Sequence, residues 1–155
     1  MASMKTGTFV VTEVDEGSAV LRDVSDGQIH TLGSNPDLSV GEALEGTLAP
    51  EPPMDVVWTV EEETRRFTVS VEEHDEPPTQ RARDLAADQP VGEVTTRERA
   101  GTGEVHVLTV PEESTDSAVA DVRDDQATIE RAARLGVERV EIRSEPGVVS
   151  VRYLP

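Results

Sequence analysis

The first half of the chain alternates apolar and polar residues with a period of two, and turn residues interrupt the alternation at short intervals. Successive side chains of a β-strand point to opposite faces, so this pattern predicts strands buried on one side. Strands are predicted over residues 7–14, 19–24, 28–32, 43–48, 56–60 and 66–71. Asp15-Glu16-Gly17 and Asp26-Gly27 supply turns between the first three. A loop over 33–41 carries Asn35-Pro36-Asp37, and Pro50, Pro52 and Pro53 end the fourth strand. The last two strands read as a hairpin around Glu61, Glu62, Glu63 and Thr64. Six short strands with no helix between them predict a small closed antiparallel barrel, the arrangement that leaves no exposed edge.

Residues 74–78 read as a linker, rich in acid and proline. Met1-Ala2-Ser3 resembles a cloning leader ahead of a natural start at Met4; with residues 1–4 set aside, 5–73 is read as the barrel and 79–155 as a second unit. Pro77 and Pro78 suit a helix's first turn, and Arg81, Ala82, Leu85 and Ala86 follow at helical spacing until Asp88 and Pro90. Strands over 91–99 and 104–110 flank the turn Ala100-Gly101-Thr102-Gly103. If that turn pairs Arg99 with Glu104, His106 lies opposite Arg97. Residues 117–135 are predicted helical, with Asp124-Asp125 as a break, Asp125 as a second N-cap and Gly136 as the C-terminal stop.

The sharpest local expectation is the final hairpin, over 137–144 and 149–154. Glu145-Pro146-Gly147-Val148 fits a type II turn, with proline second and glycine third. That turn sets the register: Ile142 faces Val151 and Val140 faces Tyr153 on the core side, while Glu141 faces Arg152 on the other. The chain is therefore expected to be α+β and β-rich. Its barrel precedes a two-layer unit of helix, hairpin, helix and hairpin, a four-stranded antiparallel sheet with helices on one face.

Composition narrows the chemistry. The 155 residues hold 32 acids against 14 bases, a formal charge of −18, and Lys5 is the only lysine. Repulsion on this scale is screened where the Debye length shrinks to about 3 Å, in molar salt. Scattered acids with almost no lysine, and 23 valines against three isoleucines, read as the protein of an extreme halophile with a GC-rich genome, an archaeal cytoplasmic protein. In such a setting an acidic patch is background. With no cysteine, disulfide frameworks, thiol catalysis and Cys-ligated zinc are excluded. No apolar run reaches the ~20 residues of a membrane span, so no membrane is expected.

Few constellations carry chemistry. Asp121, Asp124 and Asp125 share a helix face and have oxygen ligands to offer a divalent cation, but read as a solvated surface or a cap. Glu61, Glu62 and Glu63 read the same way. His30, His74 and His106 share no catalytic or metal spacing. Gly101-Thr102-Gly103 is a hairpin loop, and neither a Walker A loop nor a G-x-S-x-G elbow is present. No catalytic residue, cofactor or metal is predicted. The one candidate binding face comprises Arg97, Arg99, His106, Arg139, Arg143 and Arg152, where arginine forks can take phosphate or pair with Glu93, Glu104, Glu138 and Glu141.

The segments Gly7-Thr8-Phe9-Val10-Val11, Gly17-Ser18-Ala19-Val20-Leu21-Arg22, Asp26-Gly27-Gln28-Ile29-His30-Thr31-Leu32 and Val40-Gly41-Glu42-Ala43-Leu44-Glu45-Gly46 resemble the opening strands of small OB-like barrels, the group that includes cold-shock domains. The resemblance implies an OB-like first unit. Many nucleic-acid-binding members carry aromatics on their second and third strands, and these strands have none. Val91-Gly92-Glu93-Val94 and residues 135–142 resemble uncharacterised haloarchaeal protein families, which implies a location and no activity. Three functions follow as expectations. The first is a non-enzymatic binding or adaptor protein with a protein partner. The second is a nucleic-acid-associated protein using the barrel and the arginine face. The third is a carboxylate-based small-ligand protein or enzyme. Oligomeric state stays open.

Overall fold

The computed structural model describes residues 3–54, 56–99 and 101–155. Met1 and Ala2 of the predicted leader, and Ala100 of the predicted turn, lie outside the described residues. The chain is α+β and β-rich, with ten strands, three α-helices and one short 3-10 turn in the described residues. It divides into two units, residues 1–69 and 70–155.

The first unit contains β1 (Lys5–Asp15), β2 (Ser18–Asp23), β3 (Ile29–Leu32), β4 (Glu42–Pro50) and β5 (Trp58–Thr68). They hydrogen-bond in the order β1-β2-β3-β5-β4, and β1 pairs back onto β4, so the sheet closes on itself. The closure runs through one parallel pair, Leu32 with Trp58. Alternation then puts Phe9, Val11, Leu21, Leu32, Leu44 and Leu48 inside, with Trp58 and Val60 against them.

The hairpin expected around residues 61–64 is absent. Residues 58–68 form one continuous strand along β4, with Thr64 and Glu61 each as an extra residue where the register shifts. Two bulges bend the long strand where a turn was expected. Gly46 sits at this bend: a Cβ there would come within 2.1 Å of the Glu62 carbonyl oxygen, so the close strand approach requires glycine.

The second unit holds β6 (Ser70–Glu73), α1 (Gln80–Ala87), β7 (Val94–Glu98), β8 (Glu104–Thr109), α2 (Thr115–Asp124), α3 (Gln126–Leu135), β9 (Arg139–Glu145) and β10 (Val148–Leu154). Its sheet has five strands in the order β6-β9-β10-β8-β7, where four antiparallel strands were expected. The fifth is β6, which the sequence reading assigned to the barrel; it pairs in parallel with β9, Val71 beside Val140. The antiparallel four are present, and the final hairpin has the predicted register, Ile142 with Val151, Val140 with Tyr153 and Glu141 with Arg152. Gly147 has φ +86°, as the third position of a type II turn requires.

The helix ends follow their local signals. Thr79 caps α1 by accepting from the Ala82 N–H at 3.2 Å, so Pro77 and Pro78 precede the helix rather than begin it. Asp125 separates α2 from α3 and caps α3, accepting from the Ala127 N–H at 2.9 Å. Gly136 ends α3 in the left-handed conformation.

The helices are not confined to one face. Val140, Ile142, Val149, Val151 and Tyr153 are buried on the face that α2 and α3 cover. On the opposite face Ala82, Leu85 and Ala86 of α1 pack on Val105, Val107 and Val148. The expected two layers are therefore three. On the α1 side Val105 and Val107 of β8 and Val148 of β10 form a second apolar strip, which needs its own cover.

Candidate anion-binding site

The cover that α1 gives is partial, and a groove opens beside it. Register sets what lines that groove. Arg97 on β7 pairs with Val105 on β8, and Val105 pairs with Arg152 on β10. Directly paired residues share a face, so a row Arg152–Val105–Arg97 crosses the sheet on the α1 side. Arg99 continues the β7 alternation onto that side, its N–H donating to the Gly103 carbonyl at 3.2 Å. From above, the N-cap Thr79 with Arg81, Ala82 and Leu85 of α1 completes the walls of a cavity of ≈ 220 Å³. Its floor is Val105 and Val107, Leu85 adds apolar surface from the helix, and Glu98 is the single carboxylate in its lining.

In a chain with 32 acids, these arginines stand out by their partners. Arg66, Arg83, Arg123, Arg131 and Arg143 each meet a carboxylate. Among the described residues Arg81, Arg97 and Arg99 meet none. Arg97 and Arg99 donate to the backbone carbonyls of Thr96 and Thr102, at 3.0 and 2.6 Å. Arg152 donates to Glu141 at 3.0 Å, and Glu141 also accepts from Arg143 at 2.6 Å. Burial pushes the Glu141 carboxyl up, but its bonds and charge attraction to Arg143 and Arg152 win and hold it below its ordinary value. Three guanidiniums thus keep donors for an outside acceptor, over an apolar floor.

The six sequence-predicted residues divide. Arg97, Arg99 and Arg152 line the groove. Arg143 lies on the same sheet face but is held by Glu141 and by Glu76 at 3.3 Å. Arg139, at the end of β9, donates to the Pro155 carbonyl at 3.3 Å. His106 is on the other face, against the Tyr153 ring at 5.0 Å and bonded to Glu104 at 3.0 Å. The expected pairing of Arg99 with Glu104 was one residue out: Glu98 pairs with Glu104, so His106 faces Thr96 rather than Arg97. A one-residue shift exchanges the faces. Arg81 was missed because α1 was expected behind the sheet; its helical spacing was legible, but its landing place was not.

The other constellations resolve differently. Asp124 is bonded to Arg123 and Asp125 caps α3. Glu61, Glu62 and Glu63 lie along β5. Among the described residues no group of three or more His, Asp or Glu is placed to hold a metal ion. None of their helices is long and apolar enough to cross a membrane. In the first unit Lys5 meets the buried Asp23 carboxylate at 3.4 Å and also bonds Asp26.

No curated protein and no solved structure matches the chain. A family model described as "Family of unknown function (DUF5812)" matches residues 5–144, nearly the whole length, and the chain belongs to that family.

Proposed function

We propose that the protein is a non-enzymatic binding protein and that the arginine groove of its second unit holds an oxyanion. The observation that carries this is the set Arg81, Arg97 and Arg99, which have no carboxylate partner among the described residues of a strongly acidic chain and line one cavity. A guanidinium is a fork of donors that stays charged and has no acceptor, so such a group grips carboxylate or phosphate and transfers no proton. The charge of −18 with a single lysine supports a halophilic, archaeal and cytoplasmic setting.

The experiment is an amide chemical-shift titration of the full chain in 0.15 M and 2 M KCl with phosphate, pyrophosphate and benzoate. At least one anion should move the Arg97, Val105 and Arg152 amides, and the double variant Arg97→Gln, Arg99→Gln should lose the response. A flat response to all three overturns the reading.

A second reading has its own support. The order β1-β2-β3-β5-β4 with a parallel β3–β5 contact favours reading the closed sheet as OB-like, a fold that binds oligonucleotides on its second and third strands. That reading expects a single-stranded oligonucleotide to move the amides of residues 18–32 and leave the arginine row unchanged.

A further inference from the structure

Resting on that oxyanion reading, we propose that the groove takes a small organic acid, a carboxylate or phosphate attached to one ring or a short alkyl chain, rather than a bare inorganic ion. The floor argues for the organic body. Val105 lies between Arg97 and Arg152 in the cross-strand row, and Leu85 of α1 reaches the same cavity. A bare phosphate gripped by these arginines would leave the Val105 and Leu85 surfaces wet. A ring beneath the charged head would dry them, and each buried methylene is worth roughly fourfold in affinity.

Size argues the same way. A cavity of about 150 Å³ accepts benzene; this one measures ≈ 220 Å³, enough for one ring plus a charged head. Spacing adds a third constraint. Two strand separations put the Arg97 and Arg152 backbones about 10 Å apart. Arg97 and Arg152 therefore flank Val105 on its two sides, within reach of a head above it, and Arg81 of α1 lines the same cavity.

The test titrates phenyl phosphate, benzoate, inorganic phosphate and benzyl alcohol into the full chain in 0.15 M and 2 M KCl, following the Arg97, Val105 and Arg152 amides. One or both aryl acids should bind at least tenfold tighter than inorganic phosphate and benzyl alcohol; the tighter acid identifies the head group. Arg97→Gln, an exposed position, should weaken the aryl acid about tenfold or more. Val105→Thr should weaken it several-fold and leave inorganic phosphate unchanged. Inorganic phosphate binding within threefold of phenyl phosphate overturns the organic body and leaves the oxyanion reading standing. Benzyl alcohol binding as tightly as the acids overturns both, as does a flat response to every probe.

Discussion

His30 sits inside the closed sheet, 4 % exposed, edge-on to Phe9 at 5.7 Å and to Trp58 at 4.8 Å. Neither ring nitrogen has a hydrogen-bond partner among the described residues. Burial pushes its pKa below the ordinary 6.5, and nearby Lys5 pushes the same way against Asp23 and Asp26. The folded chain therefore keeps His30 neutral over a range where the unfolded chain protonates it. Stability is fully present above pH 6.5 and falls as pH drops through that value toward the depressed one. The carboxylates that are held low, Asp23, Asp26, Asp124 and Glu141, lose their contribution only below their ordinary values, 3.8 for the aspartates and 4.5 for the glutamate. The window from pH 7 to 5 thus separates His30 from them. The urea midpoint should fall across that window in the native chain, and His30→Leu should flatten the fall; an unchanged slope in the variant would assign the effect elsewhere. In the groove, Glu141→Gln removes the carboxylate that occupies Arg152 and should tighten oxyanion binding several-fold, read by the same amide titration.

At the scale of elements, caps and bulges carry the testable content. Asp125→Ala removes the acceptor for the Ala127 N–H at the start of α3 and should cost about 1 kcal/mol in urea unfolding. Gly46→Ala drives a methyl against the Glu62 carbonyl of the facing strand, and should cost about 1–3 kcal/mol. Gly17, whose added Cβ would meet nothing within 4 Å, is the control and should tolerate alanine with a far smaller change. Elements also mark where the sequence was legible. Turn chemistry fixed the β9–β10 register because Pro146 and Gly147 admit few backbone shapes. Residues 61–64 misled because a bulged strand and a turn both interrupt a period of two.

For the whole molecule, the boundary changes what the charge says. Divided at the acidic linker, residues 1–76 have four bases against 17 acids, a charge of −13, and the remainder −5. The structural division after Val69 sends Glu72, Glu73, Asp75 and Glu76 to the second unit. Four bases then stand against 13 acids in the first unit and ten against 19 in the second, −9 each. The acid excess does not relent in the second half; four of its ten arginines, Arg97, Arg99, Arg143 and Arg152, share one sheet face instead. Repulsion at −18 should lower the thermal midpoint as KCl falls from 2 M to 0.05 M, and scanning calorimetry across that series reads it directly. A midpoint that does not move with salt would remove the basis for a molar-salt setting.

The sequence by itself determined what depends on short range: strand alternation, the caps at Asp125 and Gly136, and the final hairpin with Glu141 opposite Arg152. It also placed Arg97 and Arg99 on one strand face, since alternation is local. The tertiary structure alone decided which sheet received residues 70–73 and which face received α1. Both choices turn on burial between segments far apart in the chain, where the apolar surface of one strand can accept any partner of suitable length. The groove is the product of those choices. Arg81 reached it on a helix whose period showed that it would pack, while the sheet decided where.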